Sequence, residues 1–241
     1  MSTHTVKAFD AELDDLKKKI AEMGGIAEKM VSDAMDAMQK RDPIKAAAVR
    51  AMDARLDVLQ REIEENAVFT IAKRQPMAID LRDVVATIRI ASDLERIGDL
   101  AKNIAKRVML MQGDVQIPRA VTGLVHLSRL ALTQLKVVLD AYGSGSVEQA
   151  LEVWRADGDI DALYTSIFRE LLTYMMEDPR NITFCTHLLF SAKNLERIGD
   201  HATNIAETVY YLVTGSTLPT DRPKGVQDEG GMDASAQASA L

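Results

Sequence analysis

Four acidic pairs stand out in this chain, each with its carboxylates four residues apart: Asp53 with Asp57, Glu95 with Asp99, Asp157 with Asp161, and Glu196 with Asp200. Four residues on a helix advance about 6 Å and turn about 40° past a full circle, so each pair shares one helix face. Like charges at that spacing disfavour a helix by about 0.2 to 0.5 kcal/mol per pair. Something must offset them. Lys102 follows Asp99 by three residues, but its counterpart in the second half is Thr203; Lys193 precedes Glu196, but its counterpart is Ser92. The acids repeat while the lysines do not. If the helix holding Asp53 and Asp57 runs beside the one holding Glu95 and Asp99, four carboxylates converge with the amide of Asn103 one turn further on. That much negative charge beside a low-dielectric core calls for a cation. Hard oxygen donors suit Mg2+ or Mn2+, and carboxylate clusters also hold iron or zinc.

An isolated pair of this kind is ordinarily a solvated helix face, and repetition is what argues against that here. "LERIGD" occurs at 94 to 99 and again at 195 to 200, and eleven of the fifteen positions from Ala91 to Ala105 match those from Ala192 to Ala206. Gly98 and Gly199, inside these helices, cost about 1 kcal/mol each against alanine and mark a close approach, either of a packed helix or of a bound ligand. Arg96 and Arg197 are open to three readings: partners of the acids, an anion site, or surface arginines. Other chemistries find less support. Glu-x-x-His pairs would supply nitrogen to an oxidative dinuclear centre, but glycine stands three residues after Glu95 and Glu196, and there is no P-loop, GxSxG or GxGxxG.

The elements that must position these residues are helices. Phe9, Leu13, Leu16, Ile20, Met23, Ala27, Met30, Ala34 and Met38 recur at spacings of three and four, the apolar stripe of a long amphipathic helix. Six helices are expected, at 6 to 40, 44 to 73, 77 to 111, 118 to 141, 147 to 176 and 180 to 214. "RDPIK" offers Asp42 as N-cap before Pro43, and "QGDVQIP", "YGSGS" and "EDPRN" mark further breaks. The fold class is all-α, with two tandem antiparallel three-helix bundles at 1 to 114 and 115 to 215, and a tail at 216 to 241 that lacks apolar periodicity and is expected to be disordered.

Composition excludes several classes. The 36 acidic and 29 basic residues leave a net charge of -7, which disfavours nucleic acid as a partner, and no apolar run reaches the roughly 20 residues of a membrane span. The polar N-terminus does not read as a signal peptide, so the cytoplasm is the expected compartment. The single cysteine, Cys185, lies in an apolar stretch and reads as a core residue rather than a nucleophile, and the methionines read as core filler.

The motifs "SDLERIGDLAKNIA" and "KNLERIGDHATNIA", each preceded by an acidic pair, together with the opening "FDAELDDLKKKIAEM", resemble the PhoU family of phosphate-transport regulators over residues 5 to 214. That resemblance implies two similar three-helix bundles binding metal at the acidic motifs. Carried over, the ligands are Asp53, Asp57, Glu95, Asp99 and Asn103 in one bundle and Asp157, Asp161, Glu196, Asp200 and Asn204 in the other. It further implies a cytoplasmic, dimeric, non-enzymatic regulator that restrains the phosphate-starvation response by linking the ATPase of the phosphate ABC transporter to a sensor histidine kinase. The alternative is an enzyme with a multinuclear carboxylate-bound metal centre.

Overall fold

In a computed structural model, the structure describes residues 2 to 111 and 117 to 219, with side chains of the first helix from residue 9 onward. The expected bundle boundary near 114 and the tail beyond 219 lie outside the described residues. Among the described residues seven α-helices follow in order: α1 (Ser2–Lys40), α2 (Pro43–Arg74), α3 (Ile79–Leu110), α4 (Pro118–Ser144), α5 (Val147–Arg155), α6 (Asp157–Glu177) and α7 (Ile182–Thr214). The described residues contain no strand.

Local chemistry sets the ends. Asp42 Oδ1 accepts from the backbone N–H groups of Ile44 at 2.9 Å and Lys45 at 3.0 Å, satisfying two donors that α2 leaves open, and Pro43 begins the helix where no N–H is needed. The Ser146 hydroxyl caps α5 through Gln149 N–H at 3.3 Å. At the end of α7, Gly215 adopts φ 75°, a left-handed conformation that a side chain would strain.

The fifth of the six expected helices is present but kinked at Ala156 into α5 and α6. The Ala156 carbonyl accepts from Asp159 N–H at 3.2 Å and from Gln134 Nε2 at 3.0 Å. Gln134 on α4 corresponds to Met30 on α1, which has no donor to offer, and α2 runs through the corresponding position unbroken. A polar residue in the apolar stripe of α4 thus stabilises a break that the first repeat lacks.

The apolar stripe of α1 is buried as its spacing requires: Leu16, Ile20, Met23, Ala27, Met30, Ala34 and Met38 are all enclosed, with Phe9 and Leu13 half-exposed. α1, α2 and α3 pack together, as do α4, α5–α6 and α7, and the two groups share one continuous core through α3 against α7 and α1 against α4. At the α1–α4 crossing Gly24 leaves room for Leu139, whose Cδ1 would stand 2.7 Å from a Cβ there and would have to shift. Along the α3–α7 seam the Arg107 guanidinium covers the Phe190 ring at 4.2 Å, and His201 Nδ1 meets Asp93 Oδ1 at 2.9 Å. Higher numbers on α3 face lower numbers on α7, so the two motif helices run antiparallel, side by side.

Candidate metal centre

Two glycines set the depth of the acidic grooves. A Cβ on Gly98 would lie 2.3 Å from Leu56 Cδ1, and one on Gly199 would lie 2.7 Å from Ile160 Cδ1. Leu56 and Ile160 are equivalent residues, each standing between the two acids of its pair, Asp53 and Asp57 or Asp157 and Asp161. Each apolar knob enters the gap its glycine leaves, contributing about 1.5 to 3 kcal/mol by burial. The same contact draws the acids of α2 toward Glu95 and Asp99, and those of α6 toward Glu196 and Asp200. Of the two readings of the glycines, helix packing is the one the contacts show.

In the first groove, Asp53 on α2 and Asp99 on α3 both meet Lys102, whose ammonium is 2.5 Å from Asp53 Oδ2 and 2.5 Å from Asp99 Oδ1. Burial opposes the charge on Lys102, but its hydrogen bonds to Asp53 and Asp99 outweigh that and hold it above the ordinary lysine range. Glu95 is not reached by Lys102. Burial, then the charge of Asp99, and further Asp57 and Asp53, push its carboxyl above the usual carboxylate range, with Arg96 partly offsetting them. Arg96 folds along its own helix, 3.5 Å from Glu95 and 3.7 Å from Asp99, and remains 60% exposed, so it acts as a loose partner of both acids. Asn103 is half-buried one turn further on.

The second groove is arranged differently. Position 203, equivalent to 102, again reaches across to the first acid of the preceding pair, but as a neutral hydroxyl: Thr203 Oγ1 donates to Asp157 Oδ1 at 2.9 Å. The local lysine is Lys193, which contacts Glu196 Oε1 at 2.5 Å from a side chain 48% exposed. Glu196 itself is 8% exposed, and its Oε2 is buried without a hydrogen-bond partner. Asp200 is half-buried and Asp161 exposed. Asn204 sits at the α3–α7 seam, where its Nδ2 donates to Asp93 Oδ1 at 3.4 Å.

The structure brings Asp53, Asp57 and Asp99 close enough for their charges to act on Glu95, and in the second groove it links α6 to α7 through Asp157 and Thr203, but among the described residues no three His, Cys, Asp or Glu side chains close into a ready-made metal site. The donor chemistry still fits a hard cation: all ten expected ligands offer oxygen, and one of them, Glu196 Oε2, is an orphaned buried acceptor. Lys102 as a bridge between helices, and Asp93, His201 and Gln134 as polar contacts, were not singled out in the sequence. Gln134 carried a readable signal, a polar residue at the position of Met30.

The PhoU domain matches residues 20 to 108 and 124 to 209, once for each repeat. The phosphate-specific transport system accessory protein PhoU homolog of Rhizobium meliloti is 59% identical over 222 residues, covering 92% of this chain and 93% of that protein. Its namesake in Caulobacter vibrioides is 50% identical over 224 residues, covering 93% and 97%. Among solved structures, PhoU from Pseudomonas aeruginosa superposes with a TM-score of 0.83 at 39% identity over 86% of this chain and all of that one. The phosphate transport system regulatory protein PhoU from Streptococcus pneumoniae gives 0.81 at 28% identity over 88% and 99%. With two domain matches, near-full-length relatives and a shared fold, the chain belongs to the PhoU family.

Proposed function

We propose that this protein is the accessory regulator of a phosphate-specific transport system, acting without catalysis in the cytoplasm as a homodimer. It restrains phosphate uptake and the starvation response by contacting the ATPase of the phosphate ABC transporter and a sensor histidine kinase. The observation that carries the reading is near-full-length identity of 59% to a protein of that name, with both acidic motifs in place. The one cysteine, Cys185, is buried, and burial pushes its thiol up, away from the thiolate that a cysteine nucleophile needs. No helix among the described residues is long and apolar enough to cross a membrane. Exposed methionines at the ends of both bundles, Met77 and Met176, each 80% exposed, supply adaptable apolar surface for such contacts.

The acidic grooves on this reading bind divalent or transition metal ions, Mg2+, Mn2+, iron or zinc, held by carboxylate oxygens, which neutralise charge and tie neighbouring helices together. Two experiments test the proposal. Cells lacking the gene should express phosphate-starvation enzymes in abundant phosphate, and the cloned gene should silence them; continued silence in the deleted strain would refute the regulatory role. Affinity purification from phosphate-replete cells should recover the transporter ATPase and the kinase, and recovery of neither would refute the linking role.

A further inference from the structure

Both ends of the molecule expose apolar side chains, but in opposite electrostatic settings. At the end that holds the α2–α3 turn, exposed Phe69 shares a crevice with Glu12 and Asp15, and Asp80 stands beside exposed Ile79. At the other end Ile44, 82% exposed, Leu110 and Ile182 are set among Lys40, Arg41, Lys45, Lys106, Arg107 and Arg180. The acids there are Asp36, held by Lys40 and Lys45, Asp178, held by Arg180, the α2 cap Asp42, and Glu177. The local balance is positive in a chain whose net charge is -7.

We propose that this basic, apolar end docks on an anionic phospholipid bilayer, with Ile44, Leu110 and Ile182 reaching the acyl boundary and the cations behind them meeting headgroup phosphates. The inference goes beyond the regulatory reading and stands on these surface residues alone. No helix among the described residues is long and apolar enough to cross the bilayer, so the contact is peripheral.

The heights of the apolar tips follow from the packing contacts. Ile44 and Leu110 each lie twelve residues beyond the Leu56–Gly98 contact, about 18 Å along their antiparallel helices. From the His201–Asp93 contact, Ile182 lies nineteen residues away and Leu110 seventeen, so Ile182 stands only about 3 Å further out. Three tips from three helices therefore end near one plane. Lys106 and Arg107 sit about one turn, roughly 5 Å, behind Leu110, which is the depth that separates headgroup phosphates from an apolar face inserted about 5 to 10 Å.

The cations are suited to that layer. Arg107 rests on the Phe190 ring at 4.2 Å and Arg50 on Met109 Sδ at 3.6 Å, and a guanidinium on an apolar support still offers N–H groups to an anion. Lys and Arg stems bury their methylenes while their charged heads stay in the polar layer. A cavity of about 320 Å³ at the same end, lined by Lys40, Arg41, Phe184 and Pro118, gives a headgroup a place to enter. An acidic protein, with carboxylates outermost, would instead meet the apolar tips before the cations.

Flotation of the full chain with vesicles tests this, circular dichroism melts confirming that each variant folds. The chain should float with vesicles of one part phosphatidylglycerol to two parts phosphatidylcholine, be released by added salt, and stay behind with phosphatidylcholine alone. Lys40→Gln combined with Lys106→Gln should weaken binding about 25-fold, roughly fivefold for each cation. Ile44→Ser should weaken it by about threefold or more, whereas Met77→Ser at the acidic end should leave it within about twofold of wild type. No flotation with the phosphatidylglycerol vesicles at low salt, equal flotation with both compositions, or equal losses in Ile44→Ser and Met77→Ser would overturn the inference. Retention on a polyglutamate resin that the double lysine variant loses, without flotation, would assign the surface to an acidic protein and overturn it as well.

Discussion

Replacing Gly98 with alanine probes the contact on which the first groove depends. The new methyl would lie 2.3 Å from Leu56 Cδ1, whereas carbon atoms rest about 3.5 to 4.0 Å apart, so the leucine must retreat by more than about 1 Å. Leu56 is fully buried, so its retreat must displace neighbouring core side chains. Overpacking of this kind costs about 1 to 3 kcal/mol, and alanine recovers about 1 kcal/mol of helix propensity. Gly25 supplies the control: it is exposed on α1 with nothing within 4 Å of a built Cβ, so Gly25→Ala should collect the propensity gain alone. The two variants should therefore differ by about 1 to 3 kcal/mol, which for a chain of this size corresponds to about 2 to 12 °C in Tm. Thermal and urea unfolding measured side by side provide the assay. Leu56→Ala alone should cost about 2 to 5 kcal/mol, and on that background Gly98→Ala should become neutral or stabilising, since the methyl occupies the vacated space. The reasoning is refuted if Gly98→Ala stabilises as much as Gly25→Ala, or has the same effect with and without Leu56.

Three further outcomes are expected. Glu12 on α1 is hydrogen-bonded by Arg74 Nε and Nη2 at the end of α2; Arg74 foremost, and Lys73, outweigh burial and hold its carboxyl at about 2, below its ordinary 4.5. A lowered carboxyl pKa gives stability that is present above 4.5 and lost as pH falls toward 2, so the urea stability gap between wild type and Glu12→Gln, about 1 kcal/mol for a partly exposed pair, should close across that window. Gln134→Met, which installs the first repeat's residue, forfeits one hydrogen bond of about 1 kcal/mol to Ala156 but also removes a buried unpartnered Oε1; its Tm should stay close to wild type, and a loss above about 2 kcal/mol would contradict that balance. Asp42→Ala removes the cap of α2 and should cost about 1 kcal/mol in chemical denaturation, with no loss counting against the capping assignment.

What could be read in the sequence follows from the range of each interaction. The stripe from Leu16 to Met38, the Asp42 cap and the break before Ser146 depend on residues within a turn or two of one another, and all are found where their spacing puts them. The acidic pairs were visible because they repeat, and the repeat also carried the two-bundle architecture. The register between helices was not visible. Lys102 and Asp53 are 49 positions apart, and only the seating of Leu56 against Gly98 brings them level. Lys102 could be read as a neighbour of Asp99 at i,i+3, but its second bond, to α2, could not. The kink at Ala156 arose similarly, from a residue of α4 that lies 22 positions before it. Gly98 signalled a close approach without saying of what, since a packed leucine and a bound ligand leave the same mark in a sequence.

The central proposal is that the paired carboxylates of the two repeats form grooves that bind a cation. Diffraction from crystals grown in manganese, recorded where manganese scatters anomalously, addresses it directly. The expected result is an anomalous peak within about 2.2 Å of a motif carboxylate oxygen, at Glu95 or Asp99 between α2 and α3 or at Glu196 or Asp200 between α6 and α7. Featureless density at both grooves, with Glu196 Oε2 still unpartnered, would contradict the account.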